Sequence, residues 1–136
     1  MQSCNTFLPE PKIKTDAHCP DMPFTLMNDI RYKSNPIDGT IIRIYVNKKF
    51  RWNGSDIPRV FWRLIGSKYD VSFLPASLIH DFCANNKHKY TNKQASIIFR
   101  DILVLYGVNR LKANIMMTAV YLFQELPMNK GWKKCT

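Results

Sequence analysis

The sequence predicts an α+β fold, in which a small antiparallel β-sheet or hairpin is followed by three to four packed helices. Three observations support this prediction. Residues 40–47 alternate apolar and polar side chains, which is the period-two pattern of a half-buried strand. The second half of the chain carries apolar residues at helical spacing, with start and stop signals between them. Four prolines within residues 1–28 exclude regular helix there and predict an extended Pro-rich N-terminal arm.

The composition is that of a small basic globular protein. The chain has 136 residues and a formal net charge of +10, from 20 Lys and Arg against 10 Asp and Glu. A hydrophobic fraction of 46% excludes a largely disordered chain. The length favours one domain, predicted over residues 29–126, between the arm at 1–28 and a basic C-terminal tail at 127–136. We expect no transmembrane helix and no signal peptide, because the sequence lacks the apolar run that each of them requires.

The β region begins after the arm, where residues 30–32 are predicted to form one strand and turn-forming residues lead to a longer one. On the longer strand, one set of side chains is predicted to be buried and the set between them to face solvent. The buried set is Ile42, Ile44 and Val46, and the solvent-facing set is Arg43 and Tyr45. A turn at 47–49 is predicted to lead into residues 50–52.

Two helices are predicted before residue 90. A short helix follows Pro58 and ends at Gly66, whose flexibility favours a helix terminus. A second helix is predicted over 74–85, with Pro75 in its first turn, where the missing backbone donor costs little.

Two further helices are predicted in the last third of the chain. Thr91 and Gln94 form a capping box that starts one of them, and Gly107 is placed to end it. Asn109 is predicted to cap the last helix, which ends before Pro127. The apolar stripe expected to bury this last helix is Leu111, Ile115, Ala119, Leu122 and Phe123.

Polar side chains at two places are candidates for chemistry. His80 and Asp81 are adjacent within a helix that is otherwise mostly apolar, and a polar turn cluster occupies 53–56. Adjacent helix positions point about 100° apart, so the two side chains are not expected to face one core together. An imidazole beside a carboxylate can bind a metal or act as an acid–base pair. The structural alternative is that His80 is a core histidine hydrogen-bonded to the turn, with Asp81 paired to Arg59 or Arg63.

Three segments together resemble the family called domain of unknown function 1353, which is found mainly in tailed phages and prophages. They are WNGSDIPRVFW, LPASLIHDFC and TNKQASIIFRDILVLYGVNRLKANIMMTAVYLF, and the resemblance covers roughly residues 28–125. Family members typically carry a Phe-x-Thr-Asp-Gly-Ala-Ser-Ile-Pro segment, a His-Asp pair that begins a helix, and an Asp in the next helix. The resemblance implies a phage origin and no settled reaction.

The chain departs from this family pattern at three polar positions. Asn53 stands where Asp is usual, Asp56 where Ser is usual, and Ser96 where the later Asp is expected. Lost carboxylates weaken a site for a hard cation, whereas Asp56, His80 and Asp81 could still hold one divalent transition metal. The positions that match outright are Gly54, Ile57, Pro58, His80 and Asp81. The candidate catalytic residues are His80, Asp81, Asp56 and Asn53.

The positive charge is grouped along the chain, and a basic surface attracts polyanions or acidic protein partners. The residues predicted to bind such partners are Lys48, Lys49, Arg51, Lys87, Lys89, Lys93, Lys133 and Lys134. The sequence contains no helix-turn-helix, zinc-finger or RNA-binding signature. The alternative for each group is an ordinary solvated surface.

Three functions follow as hypotheses. The first is a structural protein of a phage virion, in the tail, neck or another part of the particle. It would be made in the host cytoplasm, need no cofactor, and dock on other virion proteins through its arm and basic surfaces. The second is a metal-dependent hydrolase of cell wall or nucleic acid, centred on Asp56, His80 and Asp81. The third is a nucleic-acid-binding accessory protein without enzymatic activity.

Overall fold

The computed structural model describes residues 6–15, 24–52 and 73–124. The contacts of the chain divide it into two compact units, one that holds the strands and another that holds the helices. Strands and helices in separate parts of the chain are an α+β architecture, which confirms the predicted fold class. The short helix predicted after Pro58 lies outside the described residues.

Six short strands form two antiparallel sheets in the described part of the first unit. They are β1 (Thr6–Leu8), β2 (Ile13–Thr15), β3 (Phe24–Leu26), β4 (Ile30–Lys33), β5 (Arg43–Val46) and β6 (Arg51–Trp52). One sheet has the order β1-β4-β5 and the other β2-β3-β6. The strands predicted near residues 30 and 44 are confirmed as β4 and β5, and β6 follows the turn predicted at 47–49. The predicted N-terminal arm is not confirmed, because β1, β2 and β3 lie within it and pair with other strands.

Alternation along the strands decides which side chains of the first sheet are buried. Phe7, Tyr32 and Ile44 are cross-strand partners and form a buried row, in which the Phe7 and Tyr32 rings lie 5.0 Å apart. In β5 the predicted alternation is confirmed, since Ile44 and Val46 are buried while Arg43 and Tyr45 are exposed. The second sheet has its own apolar contact, in which the rings of its buried residues Phe24 and Trp52 lie 5.6 Å apart.

The second unit contains three helices among the described residues: α1 (Phe73–Ala84), α2 (Asn92–Leu105) and α3 (Arg110–Gln124). Helix α2 contacts both α1 and α3. None of the described helices is long and apolar enough to cross a membrane.

The helix boundaries are fixed by local signals that the sequence predicted. The Thr91 hydroxyl accepts a hydrogen bond from the Gln94 backbone N–H at 3.0 Å, and the Gln94 side chain accepts one from the Thr91 N–H, also at 3.0 Å. Gly107 adopts a φ of +99°, which lets Val108 N–H donate to the carbonyl of Leu103 and ends α2. Asn109 caps α3 by accepting from the N–H of Leu111 at 2.8 Å. All three capping predictions are confirmed.

The stripe predicted to bury the last helix is wrong. Leu111, Ile115 and Leu122 are exposed, with 71%, 49% and 58% of their surfaces accessible. The buried residues of α3 are Ala113, Met116 and Val120, which lie on another face of the helix. The physical reason is that α3 has two apolar faces, and the face with the smaller Ala113 is the one that packs within the chain.

Candidate functional site

The His80–Asp81 pair lies in the interior of α1. Nine of the twelve α1 residues are buried, and both His80 and Asp81 have 0% exposed surface. The expectation that two adjacent side chains would not both face a core is therefore wrong, because α1 is buried on nearly all sides. His80 Nδ1 and Asp81 Oδ1 lie 3.7 Å apart, close enough for electrostatic attraction but longer than a hydrogen bond.

The His80 imidazole packs against an aromatic ring and makes no hydrogen bond to the described residues. Its ring lies edge-on to Phe99 of α2, with the ring centroids 5.6 Å apart. Both ring nitrogens are buried, and neither finds a hydrogen-bond partner in the part of the chain that the structure describes. A buried imidazole without partners destabilises a fold by roughly 1–3 kcal/mol, which makes it a candidate ligand-binding group. The alternative of a hydrogen bond to the 53–56 turn lies outside the described residues.

The neighbours of His80 on the same helix are structural rather than reactive. The Ser77 hydroxyl donates a hydrogen bond to the backbone carbonyl of Leu74 at 3.0 Å. Cys83 is a buried free cysteine, and its burial raises the pKa of the thiol to about 12. The thiol therefore stays protonated near neutral pH, which disfavours nucleophilic attack by this cysteine.

Ser96, at the position where the family pattern has an Asp, lies on α2. Its side chain is buried, and its hydroxyl has no hydrogen-bond partner among the described residues. It lines a groove of about 330 Å³ between α2 and α3, together with Lys93, Ile97, Met117, Thr118 and Tyr121. The structure thus places Ser96 beside α3 residues, whereas His80 contacts Phe99.

The described residues hold only part of the predicted metal site. Asp56 and Asn53 lie outside them, as do Arg59 and Arg63, the predicted partners of Asp81. Within residues 6–15, 24–52 and 73–124, no group of three or more His, Cys, Asp or Glu side chains could surround one metal ion. His80 and Asp81 are close enough to share a metal ion, and a third ligand would come from outside these ranges.

The predicted partner-binding residues are distributed over both units. Lys48 and Lys49 are exposed at the turn after β5, and Arg51 is partly buried in β6. Lys87 and Lys89 are exposed between α1 and α2, and Lys93 is exposed in the first turn of α2. Lys133 and Lys134 lie outside the described residues.

The sequence reasoning missed a basic surface on the β1-β4-β5 sheet. Arg31, Lys33, Arg43 and Tyr45 are exposed and line one groove of about 470 Å³. The signal was present in the alternation of both strands, since Arg31 and Lys33 are two residues apart, as are Arg43 and Tyr45. The basic surface can be recognised only from the strand register, which places β4 beside β5.

Comparison with other proteins gives a family and one distant relative. The chain is 30% identical over 77 residues to an uncharacterized protein, y4iH, of Sinorhizobium fredii (strain NBRC 101917 / NGR234). That match covers 57% of this chain but only 32% of the relative, which is therefore the longer protein. No solved structure matches the chain. Residues 24–120 match the family described as protein of unknown function (DUF1353), and the chain belongs to that family.

Proposed function

We propose that the chain is a non-enzymatic structural protein of a phage particle, which docks on a neighbouring virion subunit through an exposed face of α3. We name this face the α3 seam; it consists of Leu111, Ile115, Thr118 and Leu122. The observation that carries the proposal is the exposure of its three large apolar side chains, of which 71%, 49% and 58% of the surface is accessible.

The spacing of the α3 seam suits a helical partner. Its residues follow one another at intervals of four, three and four, which is the repeat that aligns side chains for helix–helix packing. Met116 and Val120 on another face already hold α3 within the chain. The seam is thus a second apolar face that the described residues leave exposed, and an amphipathic helix of another subunit would complete it.

The binding free energy that the α3 seam can provide is what we expect for one subunit of a larger assembly. Complete burial of one Leu or Ile side chain contributes roughly 1.5–3 kcal/mol. The loss of translational and rotational freedom on binding offsets much of what three such side chains provide. A single seam therefore binds weakly alone, and repeated contacts in a particle raise the effective affinity. The exposed Arg110 at the start of the seam favours a partner with acidic residues there.

The burial of the His80–Asp81 pair also supports a structural role. A hydrolase must bring its reacting groups into contact with substrate, usually in a cleft. Both side chains have 0% exposed surface. Their position inside α1 suits a contribution to packing better than contact with a polymeric substrate.

The test compares two double variants with the same chemical change. Leu111→Lys/Ile115→Lys places two charges on the α3 seam, while Met27→Lys/Leu105→Lys places two charges at exposed apolar positions outside it. Each chain is supplied in place of the native one during phage growth, and the particles are purified on a density gradient. Quantitative mass spectrometry then gives the number of chains per particle.

We expect the wild type and the Met27/Leu105 variant to be present in particles, and the seam variant to be lost from them. Incorporation of the seam variant at the wild-type level would refute the seam as the docking surface. Absence of the wild-type chain from purified particles would refute the structural role itself.

A metal-dependent hydrolase is the second candidate, and it is favoured by the two buried ring nitrogens of His80, which have no hydrogen-bond partner among the described residues. Calorimetric titration of the purified protein with Zn²⁺ or Mn²⁺ separates the two functions. One ion bound per chain, and lost in His80→Leu, would replace the structural proposal with the hydrolase. The structural proposal predicts that His80→Leu leaves the titration unchanged.

A further inference from the structure

We propose that the outer face of the β1-β4-β5 sheet binds single-stranded nucleic acid. We name this surface the cationic sheet face; its outward side chains are Thr6, Leu8, Arg31, Lys33, Arg43 and Tyr45. None of the residues of the α3 seam belongs to it, so either proposal can fail without the other.

The register arranges these side chains in two rows across the three strands. Leu8, Arg31 and Tyr45 are cross-strand partners and form one row. Thr6, Lys33 and Arg43 form the other. The row between them points to the opposite side of the sheet and is buried, so the six outward side chains share one exposed surface.

Charge on this face favours an anionic ligand. Three of the six outward side chains are cationic and none is a carboxylate. Lys33 and Arg43 lie directly opposite each other, and like charges at cross-strand positions destabilise a sheet. A phosphate group bound between them would remove this repulsion and form charge-assisted hydrogen bonds with both. The net charge of +10 on the whole chain would attract such a ligand from a distance.

The second row supplies surfaces on which bases stack. Tyr45 is 50% exposed and Leu8 is 72% exposed, although large apolar side chains are ordinarily buried. The Arg31 guanidinium lies 5.7 Å from the centre of the Tyr45 ring. Aromatic rings and guanidinium planes are the side chains on which unpaired bases stack. One row therefore suits phosphates and the other suits bases.

The dimensions of the face match a short single strand. The groove measures about 470 Å³, within the usual range for small-ligand sites. Sheet platforms that bind RNA typically stack two or three bases. Stacking on Tyr45 requires an unpaired base, which favours a single strand over duplex or over a polyanion without bases.

The experiment measures fluorescence anisotropy of labelled single-stranded oligothymidylate, titrated with the full chain over a range of salt concentrations. Two triple variants remove the same charge from different places. Arg31→Gln/Lys33→Gln/Arg43→Gln neutralises the cationic sheet face, and Lys87→Gln/Lys89→Gln/Lys93→Gln neutralises the basic group of the helical unit. A second pair tests stacking, with Tyr45→Leu against Tyr45→Phe.

We expect the sheet-face triple variant to weaken binding by about a hundredfold, and the helical-unit variant by no more than about threefold. For the wild type, three phosphate contacts predict a slope of about −2 for log affinity against log salt, which the sheet-face variant flattens. Loss of one stacked base in Tyr45→Leu should weaken binding about tenfold, whereas Tyr45→Phe retains the ring and the affinity.

Four outcomes would overturn the proposal. They are absence of wild-type binding at low salt, equal losses in the two triple variants, equal binding of duplex or heparin, and full affinity in Tyr45→Leu. Circular dichroism melting of each variant shows whether it is folded. If the sheet-face triple variant does not fold, ultraviolet cross-linking of the wild type decides instead, with the cross-link expected on the peptide that contains Tyr45.

Discussion

The two units of the molecule place their polar residues in opposite ways. In the strand unit, alternation puts Arg31, Lys33 and Arg43 on the outer surface and an apolar row beneath them. In the helical unit, the side chains most typical of catalysis, His80 and Asp81, are completely buried in α1. Residue type alone therefore does not predict exposure. The cations of the sheet are open to a ligand from solvent, whereas the His-Asp pair is enclosed by protein.

The largest loss of stability should come from disrupting the aromatic packing around His80. Phe99 contacts His80 and also lies edge-on to Phe73 at 6.5 Å, so Phe99→Ala should lower the free energy of unfolding by about 3–5 kcal/mol. Leu8→Ala, on the exposed sheet face, should change it by no more than about 0.5 kcal/mol. Urea denaturation measures both. Equal effects would break the contrast between the buried helical unit and the accessible sheet face.

The capping box at the start of α2 should have a smaller effect. Thr91→Ala removes the acceptor for the Gln94 N–H and should lower the unfolding free energy by about 1 kcal/mol. The matched change Thr118→Ala lies within α3, where alanine favours helix, and should raise stability by about 0.5 kcal/mol. Thermal melts of the two variants should therefore shift in opposite directions. A Thr91→Ala melt that does not fall below the wild type would show that α2 does not depend on this cap.

Replacement of His80 tests how its burial in the His80–Asp81 pair affects stability. Because its ring nitrogens have no hydrogen bonds among the described residues, His80→Leu removes the cost of burying them and should raise the unfolding free energy by about 1 kcal/mol. The control His80→Ala leaves a cavity and should lower the unfolding free energy. A loss in His80→Leu as large as that in His80→Ala would show that the imidazole nitrogens have a partner in the folded chain.

The smallest effect is expected at the cross-strand pair on the cationic sheet face. Lys33→Thr removes the repulsion with Arg43 and should stabilise the chain by about 0.2–1 kcal/mol at low salt. Lys14→Thr makes the same change in β2, where the cross-strand partner is Thr25, and should have almost no effect. Since salt screens exposed charges, the difference between the two variants should diminish as salt is added. Identical stabilities at low salt would contradict this account of the pair.

Features set by neighbouring residues could be predicted from the sequence. The capping box at Thr91, the terminator at Gly107 and the cap at Asn109 each depend on contacts within a few residues. The alternation in β5 also follows from residue order alone. These local signals sufficed for the fold class and for most helix boundaries.

Features set by distant residues could not be predicted. Residues 6–8 and 13–15 are too short to indicate strands by their own pattern, and they become strands only through pairing with β4 and β3. Helix α3 offers two apolar stripes, and the one that packs is decided by its fit against α2 rather than by periodicity.

The candidate site shows the same difference between what neighbouring residues determine and what distant residues determine. The sequence located the His80–Asp81 pair but not its burial, because burial depends on what surrounds α1. It likewise located the Arg43–Tyr45 alternation but not the cationic sheet face, which requires β4 to lie beside β5. Spatial neighbours, rather than residue identities, were the missing information.

The interleaved strand order has a consequence for the time course of folding. Phe7 must find Tyr32, and Phe24 must find Trp52, so each sheet must close a long loop before these contacts form. The three helices instead pack against their sequence neighbours, and such local contacts form faster. After dilution from denaturant, the helical unit should become protected from hydrogen exchange first. During synthesis the strand unit has the advantage instead. Its residues leave the ribosome before those of the helices, so the slowly folding strands can begin to pair first.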